Sequence, residues 1–209
     1  RAGVAGASFG HRTTVVVPDK MSAGKISHLR AMGATVVLTR SDVGKGHPEY
    51  YQDVAERLAK EDPSAIYVNQ FSNPANPTAH ESGTGPEIWA QMNGEIDALV
   101  AGIGSAGTMT GLGRYLKAHN PSIEMILADP VGSILTGLIN DGVLHDPGTW
   151  LVEGIGEGFV PDIAELDHID HSIAVSDHDS FHAARELLRS EGVLAGSSTG
   201  TLLSAALTY

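Results

Sequence analysis

Cysteine is absent from this chain, which excludes disulfides, thiolate metal sites and a cysteine nucleophile. Aromatic residues are scarce at 5%, while glycine is plentiful at 25 residues. That balance points away from a β-sandwich and toward an α/β protein rich in tight turns. Positive charge is also short: 13 Lys and Arg against 25 Asp and Glu leave a formal charge of −12. Such a chain repels nucleic acid and anionic lipid, so neither is expected as a partner. No signal peptide and no apolar run of membrane length is seen, which is compatible with cytoplasmic residence. There is no initiator methionine. Residues 1–10 read as a helix remnant capped by Gly10, and residues 201–209 as a helix cut mid-run, as in a piece of a longer polypeptide.

What is present alternates between strand and helix. Thr13–Pro18 and Ala34–Thr39 are β-branched runs that read as buried strands, with a helix between them begun by Ser22 and ended by Gly33. Tyr51, Val54, Ala55 and Leu58 mark a second helix, and Ala65–Val68 a short strand. Asn69–Pro77 interrupts the rhythm, and Pro86 opens a helix over Glu87–Met92. Further strands are expected at Ala98–Ala101, Met125–Ala128, Ser172–Val175 and Val193–Ala195. Gly132–Trp150 reads as irregular, Asp179–Glu191 as a helix capped by Ser176 or Asp177, and Gly196–Gly200 as the opening of the last helix. The strands are apolar throughout rather than at every second residue. They therefore belong to parallel sheets covered on both faces.

Chemistry concentrates at strand ends. Gly102, Gly104 and Gly107 break the strand at Ala101, and a helical pattern follows from Met109. Ser105 and Thr108 put hydroxyls at the helix start, where unpaired N–H groups and the helix dipole favour an anion, most often phosphate. No lysine follows the glycines, so this is not a nucleoside-triphosphate loop, and the spacing of a dinucleotide fingerprint is missing. Val152–Gly156 and Gly196–Gly200 are two more glycine turns at strand ends, where ligands meet open parallel sheets. The histidines, including His168, His171, His178 and His182, follow no metal-binding spacing, so no metal site is expected. Asp162, Glu165, Asp167, Asp170, Asp177 and Asp179 read as a solvated acidic face.

Three segments in order carry a resemblance: Asn69–Pro77 with its Asn-Pro-Ala-Asn-Pro, Thr84–Trp89, and Val100–Thr108. Together they resemble the cysteine synthases, pyridoxal-phosphate enzymes of fold type II. Asp129–Leu135 and Val152–Gly156 are closer to the sister group, the cystathionine β-synthases. The resemblance implies a tryptophan synthase β-like α/β fold, with open, mostly parallel sheets flanked by helices and a cofactor crevice between two sub-domains. Residues 11–80 would be the remainder of the smaller sub-domain and 81–209 the larger, cofactor-binding one. It also implies pyridoxal 5′-phosphate as cofactor, small amino-acid substrates and a homodimer. The reaction implied is β-replacement on serine or an activated serine, with homocysteine or sulfide as the nucleophile.

Residue by residue, the resemblance assigns Gly104, Ser105, Ala106, Gly107 and Thr108 to the cofactor phosphate. The family usually has Gly-Thr-Gly-Gly-Thr there. Ala106 adds a Cβ where glycine is usual, so its backbone must avoid positive φ or accept strain. Ser198 matches the serine that hydrogen-bonds the pyridine nitrogen, and Gly154 lies beside the cofactor. Gln70 and Gly156 are implied near the substrate. The family's Schiff-base lysine stands in a Ser-x-Lys-Asp-Arg-like motif, which none of Lys20, Lys25, Lys45, Lys60 and Lys117 occupies. No catalytic residue is therefore expected within this chain. A longer parent enzyme and a non-catalytic module both remain open.

Overall fold

The computed structural model describes residues 2–209, and Arg1, which opens the expected helix remnant, lies outside the described residues. The chain divides into two compact units, residues 1–69 and 70–209.

In the first unit, α1 (Ala2–Ser8) ends before Gly10, whose φ of +70° is the left-handed cap expected there. Strand β1 (Thr14–Pro18) pairs in parallel with β2 (Thr35–Thr39), Thr14 opposite Thr35. Helix α2 (Ala23–Ala31) makes the crossover and α3 (Tyr51–Glu61) follows β2. Val17, Ile26, Ala34 and Val54 form its buried centre. Ser22 stands at the N-cap of α2, although its side chain makes no capping hydrogen bond.

The second unit is a three-layer α/β structure. Strands β3 (Ala98–Ala101), β4 (Glu124–Pro130) and β5 (His171–Val175) run parallel in that spatial order. β4 is central and Met125 to Ala128 are fully buried. Its alternating side chains feed two cores. On one face Met125 and Leu127 pack with Met109, Leu112 and Leu116 of α6 (Gly107–His119). On the other, Ala128 packs with Val175 and with Ala205 and Leu202 of α9 (Ser197–Thr208). Each fully buried aliphatic contributes roughly 1.5–3 kcal/mol. Helix α8 (Asp177–Glu191) packs on α9. Ser176 caps α8 by accepting the Asp179 N–H at 3.1 Å, as the sequence indicates, and Gly192 ends it at φ +69°. Because all three strands are parallel, the segments after β3, β4 and β5 leave from one end of the sheet.

Four expectations change. Ala65–Val68 and Val193–Ala195 form no strand, and Ile66 and Leu194 stand 89% and 84% exposed. An apolar run becomes a strand only where a neighbour takes its backbone groups, and no strand pairs with these runs among the described residues. Gly132–Trp150 contains a helix, α7 (Leu135–Asp141), closed by Gly142 at φ +68°. The helix expected to open at Pro86 instead begins at Ala75. It continues as α4 (Ala75–Ala79), a π-helical turn (His80–Thr84) and α5 (Gly85–Gln91). Pro86 has no N–H for an α-helical bond, and its ring would press on the carbonyl four residues back. The wider register relieves this: the Gly85 N–H donates to the His80 carbonyl. Finally, the acidic stretch is partly tied down. Asp177 accepts the Leu151 and Val152 N–H groups, and Asp170 takes Lys117 Nζ at 2.7 Å and the Met125 N–H at 2.7 Å.

Candidate functional site

The segment between β3 and α6 is built by close backbone approach. A Cβ on Gly104 would stand 2.7 Å from the Gly154 carbonyl oxygen, and one on Gly107 would collide with the Asn76 carboxamide. Both positions therefore require glycine for space. Ala106 is buried at φ +70°, the left-handed N-cap of α6. The residue thus takes the strained alternative, at a cost of roughly 1–2 kcal/mol for a non-glycine residue. Strain of this kind persists where the surroundings over-determine it, and it gathers at ligand sites.

Two hydroxyls stand on this loop, and each is backed by a side chain from the α4–π segment. Asn76 Nδ2 donates to Ser105 Oγ at 2.9 Å and to the Gln70 carbonyl at 2.8 Å. The carboxamide nitrogen is a donor only, so Ser105 accepts and its own hydrogen is left to point elsewhere. Thr108 Oγ1 lies 3.2 Å from His80 Nε2, and His80 Nδ1 lies 3.0 Å from Thr84 Oγ1. Sequence reasoning gave neither Asn76 nor His80 a role. The only signal was their position inside the quoted Asn-Pro-Ala-Asn-Pro run and just ahead of Thr84-Gly85-Pro86.

The second glycine turn lies on the first. The Gly156 N–H donates to the Ile103 carbonyl at 2.8 Å, and a Cβ on Gly102 would meet Ile155. Gly154 sits at φ +93° in open space, so its glycine serves conformation. Gly156 combines φ +84° with contact against the Pro130 ring. Ser133 holds the far side of this turn, since its Oγ accepts the Glu157 N–H at 3.1 Å. The start of α9 joins through Ser197, whose Oγ accepts the Glu153 N–H at 3.3 Å. Ser198 is the next residue, half-buried on the first turn of α9. Gly104 to Thr108, Gly154 and Gly156 are thus in direct or one-residue contact. Ser198 is tied to them through Ser197 and Glu153, and the Gln70 backbone through Asn76, while the rest of Gln70 is exposed.

Below Pro130 the Asp129 side chain is fully buried. Oδ2 accepts the Thr136 N–H and Oγ1, both at 3.1 Å, and Oδ1 has no partner among the described residues. Burial pushes this carboxyl above the ordinary range, against the lowering effect of the Thr136 hydrogen bonds. On the flank of α6, Arg114 pairs with Glu165 and with Glu81 at 3.2 Å. The Arg114 hydrogen bonds hold Glu165 below the usual carboxylate range.

The one lysine of the second unit, Lys117, is paired with Asp170. It lies nine residues beyond Thr108 on α6, about 13 Å along the helix at 1.5 Å per residue. It is not placed to reach a group held at the loop. The loop itself fits a phosphate ester: glycine-lined backbone, a 13-residue helix opening onto it, and two hydroxyls whose oxygens are supported from behind.

Residues 2–209 match the family model described as pyridoxal-phosphate dependent enzyme. Over 98% of its length the chain is 44% identical to a cystathionine beta-synthase of Apis mellifera, covering 40% of that protein. It is 40% identical to that of Saccharomyces cerevisiae, covering 98% of this chain and 41% of the yeast protein. Cysteine synthase A of Escherichia coli is 36% identical over 96% of this chain and 62% of its own length. The chain thus spans about 40 to 60% of these relatives. Among the described residues no helix is long and apolar enough to cross a membrane. With one family model matching residues 2–209 and relatives 36–44% identical over nearly the whole chain, the chain belongs to the pyridoxal-phosphate dependent enzymes.

Proposed function

We propose that the full-length protein catalyses β-replacement on serine, with homocysteine as the incoming nucleophile, and that this chain supplies its phosphate loop and ring support. The observation that carries the reading is the 104–108 loop, where backbone N–H groups and two hydroxyls stand at the opening of α6. In this reading Ser105 and Thr108 donate to the phosphate, and Gly104 and Gly107 let the backbone come close. Ser198 faces the pyridine nitrogen. A neutral hydroxyl there leaves that nitrogen unprotonated, which suits elimination and replacement at the β-carbon more than deeper carbanion chemistry. When bound, the cofactor serves as the electron sink for loss of the α-proton and the β-substituent. Gln70 and Gly156 border the substrate. The lysine that would carry the cofactor, with the remaining substrate contacts, belongs to parts of the protein outside these residues.

The choice of homocysteine is supported by Asp129–Leu135 and Val152–Gly156, and by the likeness to two cystathionine beta-synthases. Asn73–Pro77 and Thr84–Trp89 favour the second reading, sulfide with O-acetylserine, as in cysteine synthase. Incubating the full-length protein with serine and homocysteine, and measuring cystathionine, separates them. Faster turnover of O-acetylserine with sulfide would overturn the first reading. No turnover of either pair would leave a non-catalytic module. A cytoplasmic homodimer is part of the proposal, tested by sedimentation of the full-length protein.

A further inference from the structure

The π-helical turn at 80–84 does more than accommodate Pro86. It carries His80 against the first turns of α6, and Gly111 makes the room: a Cβ there would stand 2.7 Å from His80 Cβ. Turns of this register recur at functional sites because their poorer bonding must be held by something else. Here His80 is held at both ring nitrogens, Nδ1 by Thr84 Oγ1 at 3.0 Å and Nε2 by Thr108 Oγ1 at 3.2 Å.

These two ring contacts are to hydroxyls, so two proton arrangements satisfy the same heavy-atom positions. They have opposite consequences at the loop. With the proton on Nδ1, the ring donates to Thr84 and Nε2 is bare. The Thr108 O–H then turns inward to donate to it, and the loop loses a donor. With a proton on Nε2, the ring donates to Thr108 Oγ1, and the Thr108 hydrogen is free to face an anion. Asn76 already imposes the second arrangement on Ser105, because its Nδ2 can only donate. Asn76 and His80 come from adjoining turns of one helical segment, and each backs one hydroxyl of the loop.

We propose that His80 is a positioning residue for the anion loop: phosphate at the loop selects the form with a proton on Nε2, and the Thr84–His80–Thr108 chain then directs the last O–H at the anion. This rests on reading residues 104–108 as the phosphate site. The electrons and protons balance without a co-reactant, since one ring proton moves between nitrogens through exchange with water.

The test is inorganic phosphate titrated into the protein labelled with ¹⁵N at histidine and at backbone amides. Two-bond nitrogen–hydrogen correlations report which ring nitrogen of His80 is protonated. The expected result is shifts at the Gly104–Thr108 amides with His80 protonated at Nε2 in the saturated protein. His80→Leu should weaken phosphate binding about tenfold, the scale of one hydrogen bond to a charged group. His80→Gln, whose amide nitrogen reaches toward the Nε2 position, should recover most of that loss. A bare Nε2 in the phosphate-saturated wild type, or equal affinity in His80→Leu, overturns the proposal while leaving the phosphate site standing. If no amide of residues 104–108 responds to phosphate, the site reading fails and the proposal fails with it. The tautomer is read on the wild type, so an unfolded variant does not decide the matter.

Discussion

Replacing Gly104 by alanine isolates the contact that joins the two glycine turns. The backbone at 104 lies outside the left-handed region, so alanine meets no conformational penalty there. A Cβ would, however, sit 2.7 Å from the Gly154 carbonyl oxygen, a backbone atom that cannot rotate away. Overpacking of this kind costs roughly 1–3 kcal/mol. Stiffening the unfolded chain returns about 0.4–1 kcal/mol. The net loss is about 1–2 kcal/mol, or roughly 2–8 °C in Tm for a chain of this size. Gly83→Ala is the matched control, because Gly83 lies in the helical segment with nothing within 4 Å of its Cβ position. It should gain about 0.5–1 kcal/mol. The assays are calorimetry and phosphate titration of both variants. Gly104→Ala should lose phosphate affinity and Gly83→Ala should keep it. Equal melting temperatures and equal phosphate affinities in the two variants would refute the reasoning.

Three further outcomes follow from the same geometry. Ala106→Gly trades relief of roughly 1–2 kcal/mol of strain against about 0.4–1 kcal/mol of chain entropy and about 0.8 kcal/mol of lost methyl burial. Its urea midpoint should stay within about 1 kcal/mol of wild type, whereas Ala106→Val, branched at the same φ, should fall well below both. The Asp129 carboxyl is raised by burial, so the folded state holds its proton longer than the unfolded one, which releases it near pH 3.9. Stability from this group is full below that pH and is lost as pH rises through the folded value; Asp129→Asn, followed by denaturation from pH 4 upward, should lack that decline. Glu165 is lowered by Arg114, so its contribution is present above about pH 4.3 and lost as pH falls through the folded value. Arg114→Met should remove that acid sensitivity and cost about 1 kcal/mol or less at neutral pH, because the pair is part-exposed.

The parallel sheet was legible because β4 and its neighbours are apolar on both faces, a pattern that only burial under two helical layers explains. The loop at 102–108 was legible because glycine and hydroxyl residues follow a strand and precede a helix. The helical start at Ala75 was not, since Asn69–Pro77 reads as a break and Pro86 as the first residue of a helix. Tertiary packing of Gly85 on Tyr115 and Gly111 on His80, together with the π register, holds the segment helical. Ala65–Val68 and Val193–Ala195 carry strand composition but no strand, because composition records burial and not which neighbour supplies it. His80 and Asn76 escaped because the hydroxyls they contact lie 28 and 29 residues away, at Thr108 and Ser105. Ion pairs such as Lys117–Asp170 likewise link residues 53 apart, which charge patterning along the chain cannot show.

The proposed site brings the 104–108 loop and Ser198 to the two ends of one small molecule. Pyridoxal 5′-phosphate titrated into the ¹⁵N-labelled protein tests it most directly. The largest amide shifts are expected at Ser105–Thr108 and at Ser198, saturating together with a single affinity. Shifts confined to either site alone, or largest elsewhere in the chain, would contradict it.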